Sequence, residues 1–93
     1  MSEKQVRWHI RCYGKVQQVG FRYTAYYLAK GLGLTGWVRN LADGSVQMEA
    51  QGDVAHIRQF LIKLKSQPHL HITKAVIEEI PLLHTETRFR VSG

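Results

Sequence analysis

Hydrophobic and polar residues alternate along the first part of the chain. Val6, Trp8, Ile10 and Cys12 occupy every second position, so one face of this segment is apolar. Alternation with a period of two residues is typical of a half-buried strand. The pattern therefore predicts a first strand over residues 6–13.

Two later segments have helical spacing instead. Apolar side chains recur three and four positions apart over residues 22–33 and again over residues 54–64. This spacing gives each segment one apolar stripe, which is typical of an amphipathic helix. Asp53 is placed to cap the second helix, and Pro68 limits it. The sequence therefore predicts two helices, each with one buried face.

A β-hairpin is predicted between the two helices. Residues 34–40 and 45–51 have strand patterns, and Asp43-Gly44 between them is a strong hairpin signal because glycine takes positive φ without strain. Both strands of this hairpin are expected to belong to the same sheet as the first strand.

The C-terminal part of the chain is predicted to add strands to this sheet. Residues 72–80 form the fourth strand, with Ala75 and Ile77 expected to face inward, and residues 88–91 form a short fifth one. Residues 82–87 fit neither a helical nor a strand pattern.

The order of the main elements is strand, helix, strand, strand, helix, strand. A single sheet with both helices on one face would bury both apolar stripes. This arrangement is a ferredoxin-like α+β sandwich with βαββαβ topology and a mainly antiparallel sheet. The chain has 93 residues and no linker or low-complexity segment, so residues 1–93 are predicted to form a single domain.

The composition narrows the range of functions. The formal net charge of +6 favours anionic partners, whether small phosphorylated molecules or nucleic acid, and does not choose between them. No apolar run approaches the ~18 residues of a membrane-spanning helix. The first residues have no apolar segment that could act as a secretion signal, so a cytoplasmic location is expected.

The turn between the first strand and the first helix has features of a phosphate site. Gly14 and Gly20 bound the turn, and Arg22 stands where the helix is expected to begin. The first N–H groups of a helix have no partner within it and carry partial positive charge. A preceding loop can direct further N–H groups at the same point, and a guanidinium matches two phosphate oxygens. From the residues alone, an ordinary turn with a surface arginine fits the pattern equally well.

Two motifs in this chain resemble those of the acylphosphatases. The first is the family signature Gly-x-Val-Gln-Gly-Val-x-Phe-Arg, which residues 14–22 match with Gln18 in place of the inner glycine. The second is Gly-Trp-Val-Arg-Asn at residues 36–40, followed at the family spacing by Gly44 and Gly52. The resemblance covers nearly the whole chain and implies the same ferredoxin-like fold.

The resemblance implies hydrolysis of an acyl phosphate to a carboxylate and inorganic phosphate. It assigns phosphate binding to Arg22 and orientation of the attacking water to Asn40. An amide suits the water because it offers a donor and an acceptor without charge, although Asn40 judged alone would be a turn residue. The phosphate-binding loop implied by the motif comprises Lys15, Val16, Gln17, Gln18, Val19, Gly20 and Phe21.

Neither the residues nor the resemblance requires a metal or another cofactor. The five histidines are scattered, and Cys12 is the only cysteine and is expected to be buried. We therefore expect no metal site and no cofactor. Tyr23, Tyr26 and Tyr27 in the first helix are expected to be packing and flanking residues.

Two alternatives stay open. Gln18 takes a left-handed backbone conformation if it keeps the shape of the family glycine. A glutamine at this motif position is compatible with a catalytically inactive relative of the family. A small module that binds anions or nucleic acid also fits the charge, but Gln47, Glu49 and Gln51 on the exposed face of the third strand offer no aromatic pair for stacking bases. We expect a monomer that acts on a small acyl phosphate and binds neither nucleic acid nor a membrane.

Overall fold

The structure, a computed structural model, describes residues 4–93 and contains five strands and two helices. In chain order these are β1 (Gln5–Lys15), α1 (Phe21–Gly31), β2 (Thr35–Asn40), β3 (Val46–Asp53), α2 (Val54–Lys65), β4 (His71–Ile80) and β5 (Phe89–Val91). The predicted order of elements, including the short C-terminal strand, is confirmed. Neither helix has the length and apolar character needed to cross a membrane.

All five strands form one sheet, in the order β4-β1-β3-β2-β5. Neighbouring strands are antiparallel except β2 and β5, which are parallel. The predicted mainly antiparallel, ferredoxin-like α+β sandwich is therefore confirmed. The apolar faces of both helices and of the central strands share one core, which includes Val6, Ile10, Phe21, Ala25, Val38, Met48, Ile57, Phe60 and Leu64.

The two helices begin in different ways. Asp53 caps α2 as predicted, because its Oδ1 accepts a hydrogen bond from the N–H of Ala55 at 2.9 Å. At the start of α1, Gly20 stands at the cap position and no side chain caps the helix. The N-terminus of α1 therefore remains open to a partner from outside the helix.

Strand β1 is longer than predicted, and this shortens the turn that follows it. Gly14 and Lys15 pair with Ile72 and His71 of β4, so both belong to the strand. A Cβ on Gly14 would lie 2.1 Å from the carbonyl oxygen of His71, so only glycine fits here. The two edges of the turn are therefore fixed by the sheet and by α1, which begins at Phe21.

Ile77 lies on the inward face as expected, because it pairs with the buried Ile10 of β1, but it is not buried. Its side chain is 43 % exposed, whereas Ala75 two residues earlier packs against the core. The reason is that β4 is an edge strand, while the helices pack chiefly over β2, β3 and β5. Strand alternation gives the face of a side chain but not whether a helix covers that part of the face.

The segment between β4 and β5, which includes residues 82–87 for which no structure was predicted, crosses the face of the sheet opposite the helices. We call residues 82–88 the C-terminal strap. Gln51 of β3 exchanges two hydrogen bonds with the main chain of Leu83, at 3.0 and 2.8 Å. Arg7 of β1 donates to Glu49 at 2.9 Å and to Glu86 of the strap at 2.8 Å. The strap thereby buries Arg7, which is only 2 % exposed.

Candidate functional site

A small pocket lies where the end of β2 meets the N-terminus of α1. Its volume is about 130 Å³. The residues that line it are Val16, Gln18, Gly20, Phe21, Arg22, Tyr23 and Asn40. Arg22 and Asn40, the two residues that the acylphosphatase motifs single out, therefore lie in the same pocket.

The N-terminus of α1 gives this pocket a favourable electrostatic environment for an anion. The first bond of the helix runs from the N–H of Thr24 to the carbonyl oxygen of Gly20, at 3.0 Å. The N–H groups of Phe21, Arg22 and Tyr23 precede it and have no carbonyl partner within the helix. The first turn contains no acidic residue, so nothing in it repels a negative charge.

The turn ahead of α1 contains two left-handed residues. Gly20 has a φ of 80°, and Gln18 has a φ of 62°. Gln18 is the one non-glycine residue with positive φ among residues 4–93, so it keeps the backbone conformation that favours glycine at this position. Left-handed residues at this spacing curl the chain so that successive N–H groups converge. For an L-residue the conformation costs roughly 1–2 kcal/mol.

Three residues of the predicted phosphate-binding loop do not line the pocket. Lys15 is exposed at the end of β1, and Val19 packs against the core. The side-chain amide of Gln17 donates to the carbonyl oxygens of Leu41 and Ser45, at 2.7 and 2.9 Å. Gln17 thus connects the turn before α1 to the hairpin that follows Asn40.

Asn40 is the last residue of β2 and pairs with Val46 of β3. Its Oδ1 is buried and accepts no hydrogen bond from any residue in the described range 4–93. Buried polar atoms are nearly always hydrogen-bonded, so an unpaired acceptor needs an explanation. Asn40 is also one of the residues that line the pocket, so this unpaired acceptor lies beside it.

The hairpin after Asn40 is held by a local network. Asp43 Oδ1 accepts hydrogen bonds from the N–H and the hydroxyl of Ser45, at 2.9 and 2.6 Å. These bonds, and secondarily the charge of Arg11, lower the pKa of the Asp43 carboxyl. The N–H of Leu41 also donates to the carbonyl oxygen of Ser45, at 2.9 Å. The chain that directly follows Asn40 is therefore held in place.

Cys12 lies outside this pocket and is 1 % exposed, as predicted for a structural thiol. Burial raises its pKa to about 11, which keeps the sulfur protonated and a poor nucleophile near neutral pH. Across residues 4–93, no three His, Cys, Asp or Glu side chains come together in a way that could hold a metal ion. The chemistry that the pocket itself offers is charge stabilisation and positioning.

The position of Tyr23 at the pocket was not predicted from the sequence. Tyr26 is half-buried against the core as expected, but Tyr23 and Tyr27 are 62 % and 66 % exposed. Tyr23 lines the pocket beside Arg22. Its position directly after the arginine, in the first helical turn, was the available signal.

Comparison with known proteins gives a consistent result over nearly the whole chain. The acylphosphatase family model matches residues 8–91. An acylphosphatase of Pediococcus pentosaceus is 43 % identical over 76 residues, which cover 80 % of this chain and 84 % of that protein. One of Lactobacillus johnsonii is 42 % identical over 84 residues, covering 88 % and 92 %. The crystal structure of an acylphosphatase from Bacillus subtilis has a TM-score of 0.88 at 31 % identity, covering 95 % of this chain and 99 % of that one.

Proposed function

The chain belongs to the acylphosphatase family of hydrolases, and we propose that it hydrolyses small acyl phosphates with Arg22 and Asn40 as its catalytic residues. The observation that carries this proposal is their meeting in one pocket. Arg22 stands there at an open helix N-terminus, and the buried Oδ1 of Asn40 has no partner among residues 4–93.

The phosphate group of the substrate binds at the N-terminus of α1. Its oxygens accept hydrogen bonds from the free N–H groups of the first turn and of the loop of residues 16–21. The guanidinium of Arg22 binds two of these oxygens in a bidentate manner. These donors are in place before the reaction, so they stabilise the charge of the transferring group without reorganisation.

Asn40 holds the attacking water. Its Oδ1 accepts a hydrogen bond from one O–H of the water, which orients an oxygen lone pair toward phosphorus. The water then attacks in line with the carboxylate leaving group, and the P–O bond to the carboxylate breaks. A carboxylate is a good leaving group, so no strong general acid is needed. We assign the role of proton acceptor to a phosphate oxygen of the substrate, since no side chain in the pocket is a suitable base.

The reaction proposed here uses no metal ion. Arg22 and the helix N–H groups supply the positive charge that a cation supplies in many phosphoryl-transfer enzymes. A cytoplasmic location, the monomeric state, the single domain of residues 1–93 and the absence of nucleic-acid binding stay predictions from the sequence.

The test is release of inorganic phosphate from benzoyl phosphate, measured with a chelator present. The proposal expects saturable turnover that the chelator does not change. No release above the spontaneous rate would favour the inactive-relative alternative. Activity that disappears in chelator and returns with a divalent cation would contradict the metal-free mechanism.

A further inference from the structure

The pocket that contains Arg22 and Asn40 is small for an acyl phosphate with a bulky acyl group, such as benzoyl phosphate. It measures about 130 Å³, whereas pockets that enclose drug-sized molecules usually measure ~300–1,000 Å³. If the phosphate group occupies this pocket, as the proposed function requires, the acyl group extends past the rim. Residues at the rim then contact the part of the substrate that differs from one acyl phosphate to another.

Tyr23 is the exposed aromatic residue of this rim. Two aromatic residues line the pocket, and the other one, Phe21, is 2 % exposed and belongs to the core. Tyr23 is 62 % exposed, so most of its surface is free to contact a ligand. Side chains of a helix lean toward its N-terminus, which places the ring of Tyr23 toward the end of α1 where the phosphate would bind.

We propose that Tyr23 forms an acyl-group subsite that binds flat, apolar acyl groups, of which the benzoyl group is an example. The subsite rests on the proposed function, because it needs a phosphate group held at the start of α1. A ring stacked on Tyr23 is removed from water, and aromatic pairs gain affinity beyond that of the buried area. The enzyme therefore prefers aromatic acyl phosphates to short aliphatic ones.

The contact between Tyr23 and the acyl group lies away from the P–O bond that breaks. It has the same strength in the bound substrate and in the transition state, so it lowers KM and leaves kcat nearly unchanged. This separates the role of Tyr23 from that of a residue that touches the phosphoryl group.

Tyr27 offers a matched control. It lies one turn further along the same face of α1, is 66 % exposed and does not line the pocket. Truncating either tyrosine removes a mostly exposed ring of the same size from the same helix, and such side chains contribute little to stability. Tyr27 also makes an edge-to-face contact with Tyr26, which does not line the pocket. A difference between the two variants therefore reports the position of the ring.

The test compares benzoyl phosphate with acetyl phosphate as substrates of the wild type, Tyr23→Ala, Tyr23→Phe and Tyr27→Ala. We expect Tyr23→Ala to lower the ratio of kcat/KM for benzoyl over acetyl phosphate by roughly three- to tenfold, through KM for benzoyl phosphate. Tyr23→Phe keeps the ring and should keep the ratio. Tyr27→Ala should match the wild type.

Three results would overturn the subsite. The first is an unchanged ratio of kcat/KM for benzoyl over acetyl phosphate in Tyr23→Ala. The second is an equal loss of kcat/KM for both substrates in that variant. The third is a ratio that falls as far in Tyr27→Ala as in Tyr23→Ala. The proposed function fails separately, if the wild type hydrolyses neither substrate. An active wild type with an unchanged ratio in Tyr23→Ala would contradict the subsite alone.

Discussion

Arg22 combines three features that together suit it to phosphate. It lines the pocket and lies in the first turn of α1. Within the described part of the chain, none of the ion pairs includes Arg22. Its charge is therefore not neutralised by a neighbouring carboxylate and can act on a ligand.

Replacement of Arg22 should reduce catalysis strongly. Arg22→Ala is expected to lower kcat/KM for benzoyl phosphate by about 10²-fold or more, the scale for losing one preorganised anion donor. Arg22→Lys should recover little, because a point charge cannot reproduce the bidentate geometry. Arg39→Ala is the control, since Arg39 is exposed on β2 and does not line the pocket. Near-normal turnover by Arg22→Ala would contradict the role given to this residue.

The left-handed backbone of Gln18 leads to a second prediction. Gln18→Gly relieves the strain of a positive φ but increases the entropy of the unfolded chain, and the two effects partly cancel. We expect the free energy of unfolding to change by no more than about 1 kcal/mol. Phosphate affinity should stay within a few-fold, because Gly20 keeps its own left-handed conformation. Denaturant curves and inhibition by inorganic phosphate measure the two quantities.

The outcome for Gln18→Gly also separates the active enzyme from its inactive alternative. An inactive wild type whose activity appears in Gln18→Gly would mean that the glutamine side chain blocks the pocket. The prediction made here is that both proteins are active.

The sequence predicted the meeting of Arg22 and Asn40 through the two motifs. It could not predict that the Asn40 amide oxygen is buried and unpaired, since that depends on how the hairpin packs against the turn before α1. The motif places Gln17 in the phosphate-binding loop, but it does not predict that the Gln17 side chain bonds the hairpin. Motif spacing therefore locates a residue near a site but does not give the direction of its side chain.

At the scale of elements, Gln17 is the connection between the two halves of the site. Its amide bonds the carbonyl oxygens of Leu41 and Ser45, which flank the hairpin turn. The turn before α1 and the end of β2 are thereby held at a fixed separation. The rate of a reaction between positioned groups is sensitive to displacements of about 1 Å.

Gln17→Ala should therefore impair catalysis without direct contact with the substrate. We expect kcat to fall about tenfold while inhibition by inorganic phosphate changes little, because the donors at α1 stay in place. The side-chain amide resonances of Asn40 should shift in NMR spectra. Gln67→Ala is a control, because it too removes a glutamine that bonds a main-chain carbonyl, at the exposed end of α2. An unchanged kcat in Gln17→Ala would rule out this positioning role.

The helices and β1 to β4 could be predicted because their apolar residues have a clear period. Ile77 lies on the predicted face but stays exposed, because β4 is an edge strand that the helices barely cover. The apolar residues of the C-terminal strap show no regular spacing, since the strap is held by polar contacts with the sheet and not by a buried apolar face. Its position on the open face was therefore not predictable from the hydrophobic pattern.

At the scale of the whole molecule, the strap ties the C-terminal part of the chain to the first strand. Arg7 is buried between Glu49 and Glu86, whose side chains are 24 % and 6 % exposed. Burial alone would lower the pKa of Arg7, but its hydrogen bonds with Glu86 and Glu49 raise it above its ordinary value. The guanidinium therefore stays charged and depends on both carboxylates.

Removing one of these carboxylates should destabilise the fold. Glu86→Ala leaves Arg7 buried with only part of its charge compensated, so we expect a loss of about 3 kcal/mol in the free energy of unfolding. Denaturant unfolding followed by circular dichroism measures this loss. Thr85→Ala changes an exposed neighbour in the same strap and should stay within about 0.5 kcal/mol of the wild type. Equal stability of the two variants would show that the strap contributes little.

The open face of the sheet bears on the expectation that the protein does not bind nucleic acid, and one reason for that expectation changes. Aromatic rings do lie on the strands that flank β3, namely Tyr13 on β1 and Trp37 on β2. A cation already lies within cation–π distance of each ring, with Arg11 5.4 Å from the centroid of Tyr13 and Arg39 5.2 Å from that of Trp37. The expectation that the net charge of +6 serves small anions therefore stays a prediction, with these cation–π contacts as its new reason.

The central claim is that one pocket binds phosphate through Arg22 and activates water through Asn40, and Asn40→Ala tests it most directly. Steady-state hydrolysis of benzoyl phosphate gives kcat, and inhibition by inorganic phosphate gives the affinity of the same pocket for its product. The account predicts that kcat falls by about 10²-fold or more while the inhibition constant stays within a few-fold of the wild type. A variant that keeps its kcat, or that loses phosphate binding in proportion to kcat, would contradict it.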